Sequence, residues 1–146
     1  MKVIGWGEYL DSIYSLTRIV SEQGKFRYVY GIPVHGVIPA VIISQELNIN
    51  FVNYYSLMLE SSKKLVKQEI LIIDGVCNSG ETLEGWEAVG VTAVLFLRDS
   101  DNKIYTPNLS VEGINEEIKF PYEIVDEEKN ISDMDEFRWP ENYLIE

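Results

Sequence analysis

The stretch EILIIDGVCNSGETL, residues 69–83, decides how the rest of the chain is read. Its first part, Ile70-Leu71-Ile72-Ile73, is apolar and rich in β-branched residues, the composition of a buried strand. The strand is expected to stop at Asp74. Gly75, Val76, Cys77, Asn78, Ser79 and Gly80 then make a loop of small residues, and Glu81-Thr82-Leu83 opens a helix. This order suits a phosphate group. The first N–H groups of a helix have no partner within it, its dipole is positive there, and small residues let an anion come close. An ordinary βα turn uses the same residue types, and the pattern alone leaves the two readings level.

The remaining composition narrows the class. The chain has 146 residues and a formal charge of −12, with hydrophobic residues at 46%. That length predicts one domain, residues 1–146, with enough apolar material for a sizeable core. The charge argues against binding to nucleic acid or an anionic membrane, because both would be repelled. A phosphate site built from backbone dipoles remains open. Cys77 is the single cysteine and has no internal disulfide partner. With no signal-peptide core after Met1 and no membrane-length apolar run, a reducing, cytoplasmic setting is the expectation.

Outward from the opening stretch, helical and extended segments alternate. Residues 5–21 carry Leu10, Ile13, Tyr14 and Thr17 at helical spacing, with Gly24 as a stop. Residues 28–32 read as a strand broken by Pro33, Val34, His35 and Gly36. Residues 37–47 read as an apolar helix with Pro39 in its first turn, where proline is tolerated. A strand over 51–55, an excursion over 56–68, a helix over 81–89, a strand over 91–97 and a fifth strand over 109–111 complete the pattern. Alternating strands and helices imply a parallel sheet covered on both faces, with ligands at the carboxyl ends of its strands. Residues 33–36, 74–80 and 98–99 meet at that edge. From Glu112 the chain becomes acidic, and residues 124–146 read as an acidic tail packed on the domain.

ILIIDGVCNSGET resembles the phosphoribosyl-pyrophosphate motif of the type I phosphoribosyltransferases. Trp6, the segment YGIPVHGVIPAVIISQELNI, Phe96-Leu97-Arg98 and Ile118-Lys119-Phe120-Pro121-Tyr122-Glu123 are similar, in the same order, to segments of the bacterial xanthine-guanine enzymes. The resemblance implies a three-layer α/β fold with a mainly parallel sheet. It implies transfer of ribose-5-phosphate from phosphoribosyl pyrophosphate to a purine-like base, with Mg²⁺ held by the substrate and no direct protein ligand. It places the 5′-phosphate on Asn78, Ser79, Gly80, Glu81 and Thr82, and the ribose on Asp74. Asp74 and Asn78 are then the catalytic positions. Pro33, Val34, His35 and Gly36 would face the pyrophosphate, and Arg98, Ile118 and Tyr122 the base. It also implies a homo-oligomer.

The departures from the family pattern fall on the chemistry. Gly75 stands where the second ribose-holding acid would be, and Asn78 where the loop's leading Asp would be. Val34 replaces an Arg, His35 a Gly, and Glu117 a base-stacking Trp. An amide accepts and donates hydrogen bonds but takes no proton. The alternative is therefore a catalytically impaired protein of the same fold that binds a nucleotide or phosphoribosyl pyrophosphate and regulates a partner. Individual residues keep their plainer readings as well. Asp74, Ser79 and Thr82 are also capping and turn residues. Arg98 is placed to pair with Asp99 or Asp101. Ile118 and Tyr122 serve equally as packing, and Cys77 as a small core side chain. Trp139 and Tyr143 read as tail residues packed on the body.

Overall fold

The computed structural model describes residues 1–61 and 66–123. Expectations for residues 62–65 and for the tail at 124–146, with Trp139 and Tyr143, lie outside the described residues. The architecture is α/β, with one five-stranded sheet ordered β3-β2-β4-β5-β6 and every neighbouring pair parallel. Its strands are β2 (Tyr28–Gly31), β3 (Asn50–Phe51), β4 (Ile70–Cys77), β5 (Val91–Arg98) and β6 (Leu109–Ile114). The helices are α1 (Trp6–Gln23), α2 (Val37–Leu47), α3 (Tyr54–Ser61) and α4 (Glu81–Glu84). Near the start, β1 (Lys2–Val3) pairs in parallel with β7 (Ile118–Lys119), a second small sheet.

The apolar run of β4 explains the three layers. Successive side chains point to opposite faces of a strand, so a run apolar throughout must be covered on both. Leu71 and Ile73 join Val29 and Leu95 under α1 and α2, whose Tyr9, Ile13, Leu16 and Ile43 are fully buried. Ile70 and Ile72 join Tyr30 and Val94 on the other face, against Leu57 of α3 and Leu83 of α4. Each such aliphatic side chain contributes roughly 1.5–3 kcal/mol when fully buried. Tyr9 is packed in the first layer with its hydroxyl lacking a hydrogen-bond partner among the described residues.

Five expectations change. The strand at 70–73 does not stop at Asp74: β4 runs on to Cys77, because Asp74, Val76 and Cys77 pair with Val94, Phe96 and Leu97 of β5. A central ladder outweighs the poor strand preference of Asp and Gly. The strand at 51–55 is confined to Asn50–Phe51, because Asn53 caps a helix there. Its Oδ1 accepts the Ser56 N–H at 2.8 Å and its carbonyl the Leu57 N–H at 2.9 Å, drawing Tyr54 and Tyr55 into α3. The excursion at 56–68 therefore begins as helix. The helix at 81–89 is one turn long, followed by turns in which Trp86 donates to the Leu83 carbonyl and Gly90 to that of Trp86. The fifth strand is longer than expected, Leu109–Ile114. Among the described residues no helix is long and apolar enough to cross a membrane.

Candidate functional site

β4 delivers Asp74 to the carboxyl-end region of the sheet with only 8% of its surface exposed. One carboxyl oxygen accepts the Gly75 N–H at 2.7 Å. Burial pushes the Asp74 carboxyl up to about 6, against the opposing pulls of the Gly75 N–H and of His35. Asp74 is therefore an acceptor-rich group held in a poorly solvated position.

His35 lies over Gly75. A Cβ added at Gly75 would sit 2.8 Å from the His35 Cβ and 2.9 Å from the tip of the Phe120 ring. The His35 ring stacks on Phe120 with centroids 4.8 Å apart. Its Nδ1 is hydrogen-bonded to the Tyr122 hydroxyl at 2.7 Å. Its Nε2 is 3.4 Å from a Glu123 carboxylate oxygen. The other Glu123 oxygen accepts the Phe120 N–H at 2.9 Å. Gly75 and His35, which look independent in the sequence, are thus one packing arrangement. The imidazole and the Phe120 ring occupy the space a side chain at 75 would need.

The loop after β4 is braced from outside. The Ser79 carbonyl accepts the N–H groups of Ile104 at 2.7 Å and Tyr105 at 3.3 Å. Gly80 has φ +92°, and Tyr105 fills the space where a Cβ would go, with its own Cβ 2.8 Å away. The Tyr105 hydroxyl is in turn hydrogen-bonded to that of Thr92, buried at the start of β5, at 2.7 Å. The Glu81 N–H donates to Ser79 Oγ at 3.3 Å. The N–H groups of Ser79, Gly80 and Thr82 make no hydrogen bond among the described residues. Successive unpaired N–H groups in a fixed loop form an anion-binding concavity. Because α4 is a single turn, its dipole adds little, and the loop amides carry the donor capacity. Burial pushes the Cys77 thiol up, opposed by Lys103, and the residue is a buried packing side chain.

Two cavities open at this edge. The larger, about 490 Å³, is lined by His35, Asp74, Glu117, Lys119, Phe120 and Glu123 among others. The smaller, about 130 Å³, is walled by residues 76–83 together with Asp74. They share Asp74, Val76, Asn78 and Thr82. Of the sequence-derived candidates, Asp74, Asn78 and Thr82 therefore stand at the junction. Ser79, Gly80 and Glu81 line only the smaller cavity, and His35 and Ile118 only the larger. Pro33, Val34 and Gly36 line neither, and neither do Arg98 and Tyr122. Tyr122 instead stands behind His35. Arg98 makes no ion pair with Asp99 or Asp101, or with any other described residue.

Sequence reasoning gave no site role to Phe120, Glu123, Lys119 or Tyr105. The first three sit in a segment singled out for its pattern, so their order was visible; the convergence of Phe120 and Glu123 on His35, and of all three on one cavity, was not. Nothing in the spacing of Tyr105 marks it as the brace of the loop. Among the described residues, no group of three or more His, Cys, Asp or Glu side chains has metal-holding geometry. Asp74, a lone carboxylate with one oxygen already engaged, fits a divalent ion brought by a ligand's own oxygens and does not fit a resident ion.

No protein-family model and no curated protein matches the sequence. Solved structures do match. A purine phosphoribosyltransferase from Pyrococcus horikoshii Ot3 is 22% identical, with a TM-score of 0.65 over 86% of this chain and 95% of that one. A xanthine-guanine-hypoxanthine phosphoribosyltransferase from Helicobacter pylori is 16% identical, with a TM-score of 0.65 over 93% and 99%. A hypothetical protein from Neisseria gonorrhoeae with bound ppGpp is 17% identical, with a TM-score of 0.66 over 86% and 91%. At these identities the likeness is one of fold: the chain is built like the purine phosphoribosyltransferases, in the same three-layer α/β architecture.

Proposed function

We propose that this chain binds a phosphoribosyl compound, with the 5′-phosphate on residues 78–82, the ribose at Asp74 and a purine-like base in the larger cavity. The observation that carries this reading is the junction itself. A small concavity lined by unpaired amides opens into a larger one, and a buried carboxylate stands where they meet. The corresponding activity is transfer of ribose-5-phosphate from phosphoribosyl pyrophosphate to a purine-like base, with release of pyrophosphate. Mg²⁺, bound with that substrate, would bridge its oxygens and offset the charge of the leaving group. Asp74 would accept from the ribose hydroxyls, and Asn78 and Thr82 would orient the ribose phosphate. We propose in addition that the protein self-associates, as the family resemblance implies, and that it works in a reducing, cytoplasmic setting, as the single Cys77 suggests.

One observation favours a second reading, in which the ligand binds and is not turned over. The place of a second acid is closed by His35 and Phe120, so Asp74 acts alone. The presence of ppGpp in the Neisseria gonorrhoeae neighbour supports a purine nucleotide as the ligand class for such a binder. Pyrophosphate release from phosphoribosyl pyrophosphate, Mg²⁺ and a panel of purine bases separates the two. Turnover supports the transferase. Micromolar binding of a purine 5′-nucleotide without turnover supports the binder. Binding that is unchanged in Asp74→Ala refutes the site in either form.

A further inference from the structure

The edge of the sheet at β3 combines low charge with exposed aromatic surface. From Tyr28 to Leu59 the sequence holds one formal charge, Glu46, in a chain whose net charge is −12. This stretch builds β2, α2, the edge strand β3 and most of α3. Rings lead through it from the core to solvent. Tyr30 is buried and packs on Trp86 with centroids 5.0 Å apart. Tyr54 meets Trp86 edge-on at 6.2 Å, and Tyr55 meets Tyr54 at 6.3 Å. Tyr54 is 51% exposed, Tyr55 85%, and Phe51 on β3 44%. At about 150–250 Å² for each ring, these three offer about 270–450 Å², roughly a third to a half of what each partner buries in a standard interface. Beside Tyr55 lies a groove of about 350 Å³, lined by Tyr54, Met58, Gly85, Trp86 and Val89. None of these five side chains is charged, so they offer little to orient a polar small molecule.

Two features favour a second copy of this chain as the occupant. Copies with a net charge of −12 repel one another, and a face poor in acids is where they can meet. A projecting ring and a groove also lie side by side on one surface, so a two-fold axis can fill both grooves at once. We infer that the chain forms a two-fold dimer across this edge, with Tyr55 of each copy seated in the other's groove beside Tyr54 and Trp86. This dimer is a specific form of the self-association proposed above, and it is independent of the ligand.

Sedimentation equilibrium on the full chain at micromolar concentration tests this. The parent is expected to be a dimer whose dissociation constant falls as salt is raised, because screening relieves the repulsion between acidic copies. Tyr55→Glu is expected to raise that constant at least tenfold. Gly85→Glu should do the same by filling the groove. The backbone at Gly85 is helical, with φ −70°, and an added Cβ meets nothing within 4 Å, so the fold is kept. Tyr14→Glu, on α1 across the sheet from α3, should leave the constant unchanged. A dimer that survives either Tyr55→Glu or Gly85→Glu, that is weakened equally by Tyr14→Glu, or that loosens with salt overturns the inference and leaves self-association standing. A monomeric parent overturns both and leaves this face to another protein or to residues 124–146, with the phosphoribosyl reading untouched.

Discussion

Replacing Gly75 by alanine tests whether Gly75 and His35 form one packing unit. The new Cβ would meet the His35 Cβ at 2.8 Å, the Phe120 ring at 2.9 Å and the His35 carbonyl at 3.1 Å. Carbon atoms prefer about 3.5–4.0 Å, so His35 and Phe120 must both retreat. Overpacking of this kind costs about 1–3 kcal/mol, while the loss of glycine's freedom in the unfolded chain returns about 0.4–1 kcal/mol. The net expected destabilisation is about 1–2 kcal/mol. His35→Gly removes the Tyr122 hydrogen bond and the Phe120 stack, for a loss of about 2 kcal/mol. It also removes the Cβ that blocks residue 75 and frees the Phe120 ring to shift. The double variant should therefore be more stable than the sum of the two changes predicts, by about 1 kcal/mol or more. Urea denaturation of the four proteins, with a common slope, measures this directly. A neutral Gly75→Ala, or additivity within about 0.5 kcal/mol, would refute the coupling and with it the claim that His35 closes the acid's place.

Other perturbations address the carboxylate, the loop and its brace. Asp74 has its carboxyl raised from 3.8 to about 6 by burial, so the folded state binds this proton more tightly than the unfolded chain does. That contribution to stability is complete below 3.8 and is lost as pH rises through about 6. Asp74→Asn should therefore be more stable than the parent at pH 7.5, by up to about 3 kcal/mol, and level with it near pH 3.5. Thermal melts at both values check the sign. Gly80→Ala places a Cβ against the Tyr105 carbonyl at a positive φ, and a loss of about 2 kcal/mol or more in chemical denaturation is expected. Thr92→Val removes the hydroxyl that holds Tyr105 and accepts the Asn108 N–H. A cost of about 1–3 kcal/mol is expected, together with weaker nucleotide binding as the loop loosens, read by denaturation and calorimetry on the same sample.

The framework was legible because its signals are local and redundant. The apolar β4 run, the spacing in α1 and the proline-tolerant start of α2 each report burial without reference to the rest of the chain. α2 falls over the same residues in sequence and structure, Val37–Leu47. The misreadings share one cause, a local pattern overruled by a partner elsewhere. Asp74 and Gly75 look like strand breakers, yet the β5 ladder carries the strand past them. Tyr54 and Tyr55 look like strand residues until Asn53 turns the chain into a helix. The candidate site was legible as a loop and an acid. It was not legible as a contact between residues 35, 75, 120 and 123, because nothing in spacing shows that Gly75 makes room for His35.

The pairing of β1 with β7 bears on when this pocket comes into being. Lys2 donates to the Glu117 carbonyl at 2.7 Å and Ile4 to that of Lys119 at 3.1 Å, so opposite ends of the described chain are stitched side by side. Glu117, Ile118 and Lys119 belong to the larger cavity's wall. A contact of such wide sequence separation closes late, because the entropy of the intervening loop is lost before the contact rewards it. The amide loop at 78–80 needs only β4, β5 and the short segment to Tyr105. The two halves of the site should therefore mature in order. A nascent or partly unfolded chain should hold the amide loop before it has the larger cavity, and amide exchange should open residues 2–4 and 117–119 ahead of β4.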